Sequence, residues 1–457
     1  MNKEAEINIQ QFINAQRLSA FQIGVLVLCS AVMALDGFDL VAMGFIAPAL
    51  RASWHLTATE LAPLFGAGLF GLMIGSFVFG PLADKVGRKK LLLLTTIFFG
   101  LASLASAQSS SVIELTILRF LTGMGLGGAI PSAVALTSEF CPDRRRSFLT
   151  TVMYCGFFVG STLGGLAAAH LVADFGWASI LLTGGVLPLA LAPVLAWALP
   201  ESAHFLVLKR SQAERIAEIL NRIAPTADLA GARFTSTTRP ANPIGQLFKP
   251  GLATGTLLLW LSYFTSLMVY YLLSNWLPTI ISSAGMSLKD ASLLTLLLPL
   301  GSTVGALLLG VLMDRMNPHF VLGISFAASA LFVALIGSVI SLPALLATAI
   351  FCVGFSLGGG CIGNNVLAAG FYPTANRTTG VAWANAVGRG GSVVGSMIGG
   401  ILVSGLGLPT ACVIVAIPTV IAGVSYFAKA QLAPQPSHDP DAGSAESSTL
   451  TETAAQI

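Results

Sequence analysis

Twelve apolar runs, each long enough to cross a membrane, make up most of the chain and restrict what it can become. They fall at about 20–50, 59–80, 90–107, 111–139, 148–173 and 177–199, and again at about 253–281, 288–313, 319–340, 342–369, 380–405 and 408–429. Glycine, proline or charge bounds each run. A crossing needs about 20 apolar residues. Backbone groups in hydrocarbon have no partner but one another, so each run is predicted to be a helix. A β-barrel would show alternating segments about half as long, and the chain shows none. Charged residues are 9% of the 457, against about 25% in soluble domains. Too few remain to cover a water-facing surface, which excludes a soluble enzyme.

Positive charge sets the orientation. Of the 23 Lys and Arg residues, only Arg51 and Lys289 fall in the loops opposite the N-terminus, and Arg119 and Arg389 lie within crossings. The rest share the side of the N-terminus, which the positive-inside rule makes cytoplasmic. Both termini are therefore expected in the cytoplasm, in a bacterial-type inner membrane. Residues 1–19 are polar and contain Lys3, Glu4, Glu6 and Arg17, so no cleavable signal peptide is expected. The predicted organisation is a cytoplasmic segment at 1–19, a six-helix bundle at 20–199, a polar, basic linker at 200–252 and a second bundle at 253–430. A Pro-, Ser- and acid-rich tail at 431–457 is expected to be disordered. A net charge of +3 is too small to suggest nucleic acid. The six cysteines are scattered without CxxC spacing, which argues against a disulfide framework and a metal site.

The two halves repeat. Gly80 and Asp84 after the second crossing recur as Gly310 and Asp314 after the eighth. Gly156, Gly160 and Gly164 in the fifth recur as Gly391, Gly395 and Gly399 in the eleventh, and the Pro142 turn recurs at Pro373. Such offsets imply a duplicated six-helix unit, and repeat transporters hold their site at the repeat interface near the midplane.

Four charges stand where oil is expected. Asp36 lies roughly 24 Å along the first helix, with Asp39 on the same face at i, i+3. A charge there costs about 2.5–3.5 kcal/mol, so the pair needs water, a cation or a proton. Arg119 in the fourth crossing and Arg389 in the eleventh cannot easily reach water. Their plain role is to neutralise the aspartates; a sharper one is to grip a substrate carboxylate in bidentate fashion. The seventh crossing supplies Tyr263, Phe264, Tyr270, Tyr271, Asn275 and Trp276 as a slot for a ring. Tyr270 and Asn275 are candidates to hydrogen-bond a phenol, although Tyr and Trp also gather at membrane interfaces; Trp383 is assigned to that belt. Gly123, Gly125 and Gly128 match a dinucleotide pattern without a preceding strand, so they are read as a helix-packing face. His170 is given a polar packing role. No phosphate-binding GxxxxGK[ST] loop occurs, which excludes nucleotide-driven pumping.

The loop GPLADKVGRKK, Gly80 to Lys90, matches the conserved loop of the major facilitator superfamily, which the chain resembles over nearly its whole length. The resemblance implies an all-α membrane protein of twelve helices in two pseudo-repeats rocking about a central cavity, with Asp84, Arg88 and Asp314 in conformational gating. DGFD in the first helix, RFLTGMGLGGAIPSAVALTSEF in the fourth and YPTANRTTGVAWANAVGRGG at 372–391 resemble the aromatic acid:proton symporter family. That resemblance implies roles for Asp36, Asp39 and Glu139 in proton coupling and for Arg119 and Arg389 in substrate binding. Glu139 also has the simpler reading of a salt bridge with Arg144 to Arg146. PESAHFL at 200–206 carries Ala203-His204 in place of Pro-Arg, which puts that loop's usual salt bridge in doubt. Asn364-Asn365 stand near an expected Gln, and Asn365 is taken as a substrate contact. The drug antiporters carry Gly-Pro in the fifth helix; Gly160-Ser161 here favours uptake.

The expectation is therefore a non-enzymatic, monomeric carrier that takes up a small aromatic carboxylate, a hydroxybenzoate such as 4-hydroxybenzoate, protocatechuate or gallate. The proton gradient drives it and no cofactor is used. The rivals are proton-antiport efflux of amphipathic compounds and a membrane sensor of aromatic acids. Asp39→Asn is expected to abolish proton-driven accumulation.

Overall fold

The computed structural model describes residues 6–209, 213–225, 227, 229, 232–235, 244–373, 376–405 and 407–432. The tail beyond Leu432 and parts of the linker lie outside these, as does the side chain of Asp84.

A strand β1 (Glu6–Asn8) and helix α1 (Ile9–Ala15) lead into six crossings: α2 (Ala20–Trp54), α3 (Ala58–Val86), α4 (Arg88–Ser106), α5 (Val112–Phe140), α6 (Asp143–Phe175) and α7 (Ala178–Ala198). The linker holds α8 (Ala203–Leu208), α9 (Ala213–Ile223), β2 (Arg233–Thr235) and a 3-10 turn, Ile244–Phe248. The second half opens with α10 (Ala253–Ser283), then α11 (Leu288–Thr295) and α12 (Leu297–Arg315) as one broken crossing, then α13 (Pro318–Val339). It continues through α14 (Pro343–Val353), a π-helical turn, Gly354–Gly358, and α15 (Gly359–Phe371), and closes with α16 (Arg377–Gly405) and α17 (Leu408–Leu432). Among the described residues, eleven of the crossings are both long and apolar enough to span a bilayer. The other, α16, has the length, with 29 residues, but glycine, serine and Arg389 make it more polar.

Local chemistry explains several boundaries. Ser19 and Gln22 form a capping box at the start of α2, and Thr57 and Glu60 form another at α3. Pro299 cannot donate to the carbonyl of Thr295, and the eighth crossing breaks there. Large apolar side chains such as Ile117, Leu182, Trp197, Leu331 and Val424 point outward, a surface suited to lipid.

Small residues bring the helices together in both halves. A Cβ on Gly160 of α6 would sit 1.8 Å from the Ala34 carbonyl oxygen of α2, and one on Gly395 of α16 would sit 2.0 Å from that of Met268 on α10. The recurring glycines therefore serve the same contact twice. Gly123 does likewise against Gly68, at 1.9 Å, so the GxGxxG face is a packing face. In the Gly80 loop the close approach is not at Gly80, which has nothing within 4 Å of a built Cβ, but at Gly87, with φ +110 and Glu201 alongside. Gly160→Ala is accordingly expected to destabilise the protein by about 1–3 kcal/mol, seen as a lower melting temperature in detergent, while Gly80→Ala does not.

One departure from an all-helical chain is a parallel pairing of β1 with β2, in which Ile7 faces Phe234. It ties the linker to the N-terminal segment. The side-chain amide of Asn14 donates to the Asp143 carboxylate at 2.6 Å, Gln22 donates to the Phe140 carbonyl at 2.7 Å, and Arg222 lies over the Phe21 ring at 4.2 Å. The segment, the linker and the α5–α6 turn thus form one layer on the N-terminal face.

The halves meet most closely on the far side. Phe65 of α3 packs edge-on to Trp276 of α10 at 5.0 Å. Gly44 of α2 admits the Ser274 backbone, Gly66 admits Met397, and Gly165 of α6 admits Leu296. These contacts close the far face. Toward the N-terminal face, Phe77 of α3 meets Trp383 of α16 at 6.5 Å.

Candidate functional site

The first-helix carboxylates sit at the depth where both halves converge, and they have different surroundings. Asp39 is 4% exposed and fully engaged. Arg119 donates through one terminal nitrogen to both of its oxygens, at 3.1 and 3.3 Å, and Ser103 donates to it at 3.1 Å. The other terminal nitrogen of Arg119 donates to Ser106 at 2.9 Å and Thr122 at 3.0 Å. This cluster of α2, α4 and α5 borders a small cavity lined by Leu64, Phe65, Gly68 and, from the second half, Asn275. Ser103, Ser106 and Thr122 were not singled out in the sequence. Their only mark there is a hydroxyl at i and i+3 in an otherwise apolar run.

Asp36 is 1% exposed, and neither carboxylate oxygen has a hydrogen-bond partner. Its electrostatic neighbours are Arg389 across the interface, Tyr154 of α6 and Asp39. A buried carboxylate without hydrogen bonds is costly as an ion, so Asp36 must be protonated or lean on Arg389. Arg389 is half-buried and donates to the Tyr271 hydroxyl at 3.1 Å. The four intramembrane charges therefore form two unequal groups: an Asp39–Arg119 ion pair at 3.1 Å within the first bundle, and an Asp36 without a hydrogen bond whose electrostatic neighbour is Arg389 of the other half. Tyr154 escaped the sequence reading because one tyrosine in an apolar helix carries no signal.

The other candidates divide. Tyr270 is 3% exposed, packs edge-on to Phe158 and Tyr271, and its hydroxyl has no well-formed hydrogen bond. The Asn275 side-chain amide donates to Ser396 at 2.8 Å, leaving its oxygen without a partner. Trp276 is wholly buried and donates to the Ser396 carbonyl, so it belongs to the interface and not to an aromatic belt. Asn365 accepts from Tyr263 at 3.2 Å and from Asn385 at 3.0 Å. Asn364 is buried, taking a 2.5 Å bond from Tyr426 and donating to Ser266 at 3.1 Å.

Glu139 is not brought to the intramembrane charges. It pairs with Arg88 at 3.0 Å and accepts from the Ser202 hydroxyl. Arg146 pairs with Asp143 at 2.7 Å. Pro200-Glu201-Ser202 makes hydrogen bonds of its own. The Glu201 carboxylate accepts from the Lys89 backbone at 3.0 Å, capping α4, and Ser202 reaches Glu139. Burial, with Arg88 and Arg146 nearby, pushes His204 down to about 4. It stays neutral at physiological pH and does not replace the usual arginine. Asp314 is exposed at the end of α12.

Two internally repeated six-helix bundles, meeting around buried charge and closed on one face, define a multi-pass membrane carrier. The chain belongs to the major facilitator superfamily, whose sequence pattern matches residues 28–298 and 259–455. It is 42% identical to the gallate transporter of Pseudomonas putida, over 93% of this chain and 95% of that one. It is 44% identical to the 4-hydroxybenzoate transporter PcaK of Pseudomonas aeruginosa, over 88% of this chain and 90% of that one. A crystal structure of a D-xylose-proton symporter shares the fold, with a TM-score of 0.71 at 18% identity, covering 89% of this chain and 98% of that one.

Proposed function

We propose that this carrier imports a small aromatic carboxylate together with a proton, by alternating access, without a cofactor. A hydroxybenzoate such as 4-hydroxybenzoate, protocatechuate or gallate fits both the site and the relatives. The observation that carries the reading is Asp36, a buried carboxylate without a hydrogen bond, whose electrostatic neighbour is an arginine of the opposite half.

With Asp36 ionised, Arg389 is its counter-charge. A proton arriving at Asp36 frees the guanidinium for an arylcarboxylate, and the ring lies against α10 and α15. Tyr270, Asn275 and Asn365 supply its polar contacts. Carboxylate, guanidinium and neutral Asp36 together leave no net charge, which lets the halves close around them. Asp39 and Arg119 hold the first bundle's charge balance. Arg88 and Glu139, with Asp84 and Asp314, steady the faces as the halves rock. The closed far side supports such movement. The Ser274 and Thr279 hydroxyls and the Asn275 oxygen of α10, and the Thr295 hydroxyl of α11, are buried there without partners, as expected of a lining that is hydrated when that face opens.

The protein works as a monomer in a bacterial-type inner membrane, with both termini cytoplasmic. Ser161, whose hydroxyl donates to the Gly37 carbonyl at 3.0 Å, stands where antiporters carry proline and favours uptake. Purified protein in liposomes is expected to accumulate labelled 4-hydroxybenzoate only under an inward proton gradient. Accumulation unaffected by collapsing that gradient would exclude the coupling.

A further inference from the structure

The geometry points to Asn385 and Asn365 as a paired-amide reader of the ring hydroxyl, placed to recognise it para to the carboxylate. The inference rests on the function proposed above and assigns a specificity role to Asn385.

The Asn385 side-chain nitrogen uses both hydrogens, one on Asn365 at 3.0 Å and one on the Val381 carbonyl at 3.0 Å. Its oxygen accepts no recorded bond. The Asn365 oxygen is saturated by Tyr263 and Asn385, while its nitrogen makes a single long bond of 3.4 Å to the Cys361 carbonyl. Two side-by-side amides can exchange two hydrogen bonds, and here only one is made. An acceptor on Asn385 and a donor hydrogen on Asn365 are left over. A hydroxyl is donor and acceptor at once, so a phenol completes the pair, whereas a methyl group or hydrogen satisfies neither. Both residues are half-buried, so a solute can reach them.

Position follows from helix geometry. Asn385 lies four residues before Arg389 on α16, so the two are neighbours on one face at roughly 5–6 Å. The next positions on that face beyond Arg389 are Val393 and Met397, which are apolar. A carboxylate held by Arg389 thus has an amide pair in one direction and hydrocarbon in the other. A benzene ring bridging Arg389 to the amides carries its second polar group opposite the first. A hydroxyl ortho to the carboxylate stays beside Arg389 and gains nothing from the pair.

The test compares the affinities of purified protein for 4-hydroxybenzoate, 2-hydroxybenzoate and 4-methylbenzoate by calorimetry. The wild type is expected to favour 4-hydroxybenzoate over 4-methylbenzoate, its counterpart in shape, by at least about tenfold, and Asn385→Leu is expected to bring that ratio close to one. Equal wild-type affinities for the two, or an N385L ratio like the wild type's, overturns the assignment. A wild-type preference for 2-hydroxybenzoate overturns the para placement. Should N385L not fold, the same ratio is read in Asn385→Ala, where a value like the wild type's equally overturns the assignment. Wild type that binds none of these acids overturns the underlying function instead.

Discussion

Asp36→Asn is expected to abolish proton-driven accumulation while leaving substrate exchange in place. A gradient of one pH unit stores about 1.4 kcal/mol per proton, enough for about tenfold accumulation at one proton per substrate. Asparagine has the shape of a protonated aspartate and cannot release the proton. The variant should therefore equilibrate label to a ratio near one, yet still exchange internal for external substrate in counterflow. No hydrogen bond is lost, because neither Asp36 oxygen makes one, so its melting temperature should fall less than that of Asp39→Asn. Asp39→Asn loses accumulation for a different reason. It leaves Arg119 buried beside a neutral partner in place of its counter-ion, and breaking a buried pair costs about 3–5 kcal/mol. Stability and transport are then lost together. Wild-type accumulation by D36N in proteoliposomes would remove Asp36 from the coupling step.

Arg389→Ala is expected to weaken arylcarboxylate binding by at least about a hundredfold, since hydrogen bonds to charged groups contribute about 1.5–3 kcal/mol each and a guanidinium makes two to one carboxylate. Arg389→Lys keeps the charge but loses the fork and should fall between. Arg389 is favoured over Arg119 by its free valences. Both terminal nitrogens of Arg119 are occupied by Asp39, Ser106 and Thr122, whereas the recorded partner of Arg389 is the Tyr271 hydroxyl. Titration of the purified variants with 4-hydroxybenzoate separates the cases. Undiminished affinity in R389A would move the substrate carboxylate elsewhere.

Much of this protein was legible before any coordinate. Twelve crossings follow from run length because a bilayer rewards a local property of about 20 consecutive residues. The six-plus-six division followed from three matched offsets. The glycines at 156, 160, 391 and 395 stood out as a repeat because the same i, i+4 spacing recurs in both halves. The unusual residues Asp36, Asp39, Arg119 and Arg389 stood out because charge in hydrocarbon is costly wherever it occurs.

Which charge meets which was not legible. Asp36 and Asp39 share one face by spacing, yet one is enclosed by α4 and α5 and the other looks across to α16. That outcome depends on how far α2 is rotated and on how closely Gly37, Gly156 and Gly160 let α6 approach it. Glu139 found Arg88 and Ser202, residues 51 and 63 positions away. Pairing across such distances is decided by the tilt and contact of whole helices, which no short window of sequence contains. Sequence alone settled what the membrane demands of each segment. The three-dimensional packing settled which buried carboxylate has a partner and which does not, because a counter-charge neutralises only what it can touch.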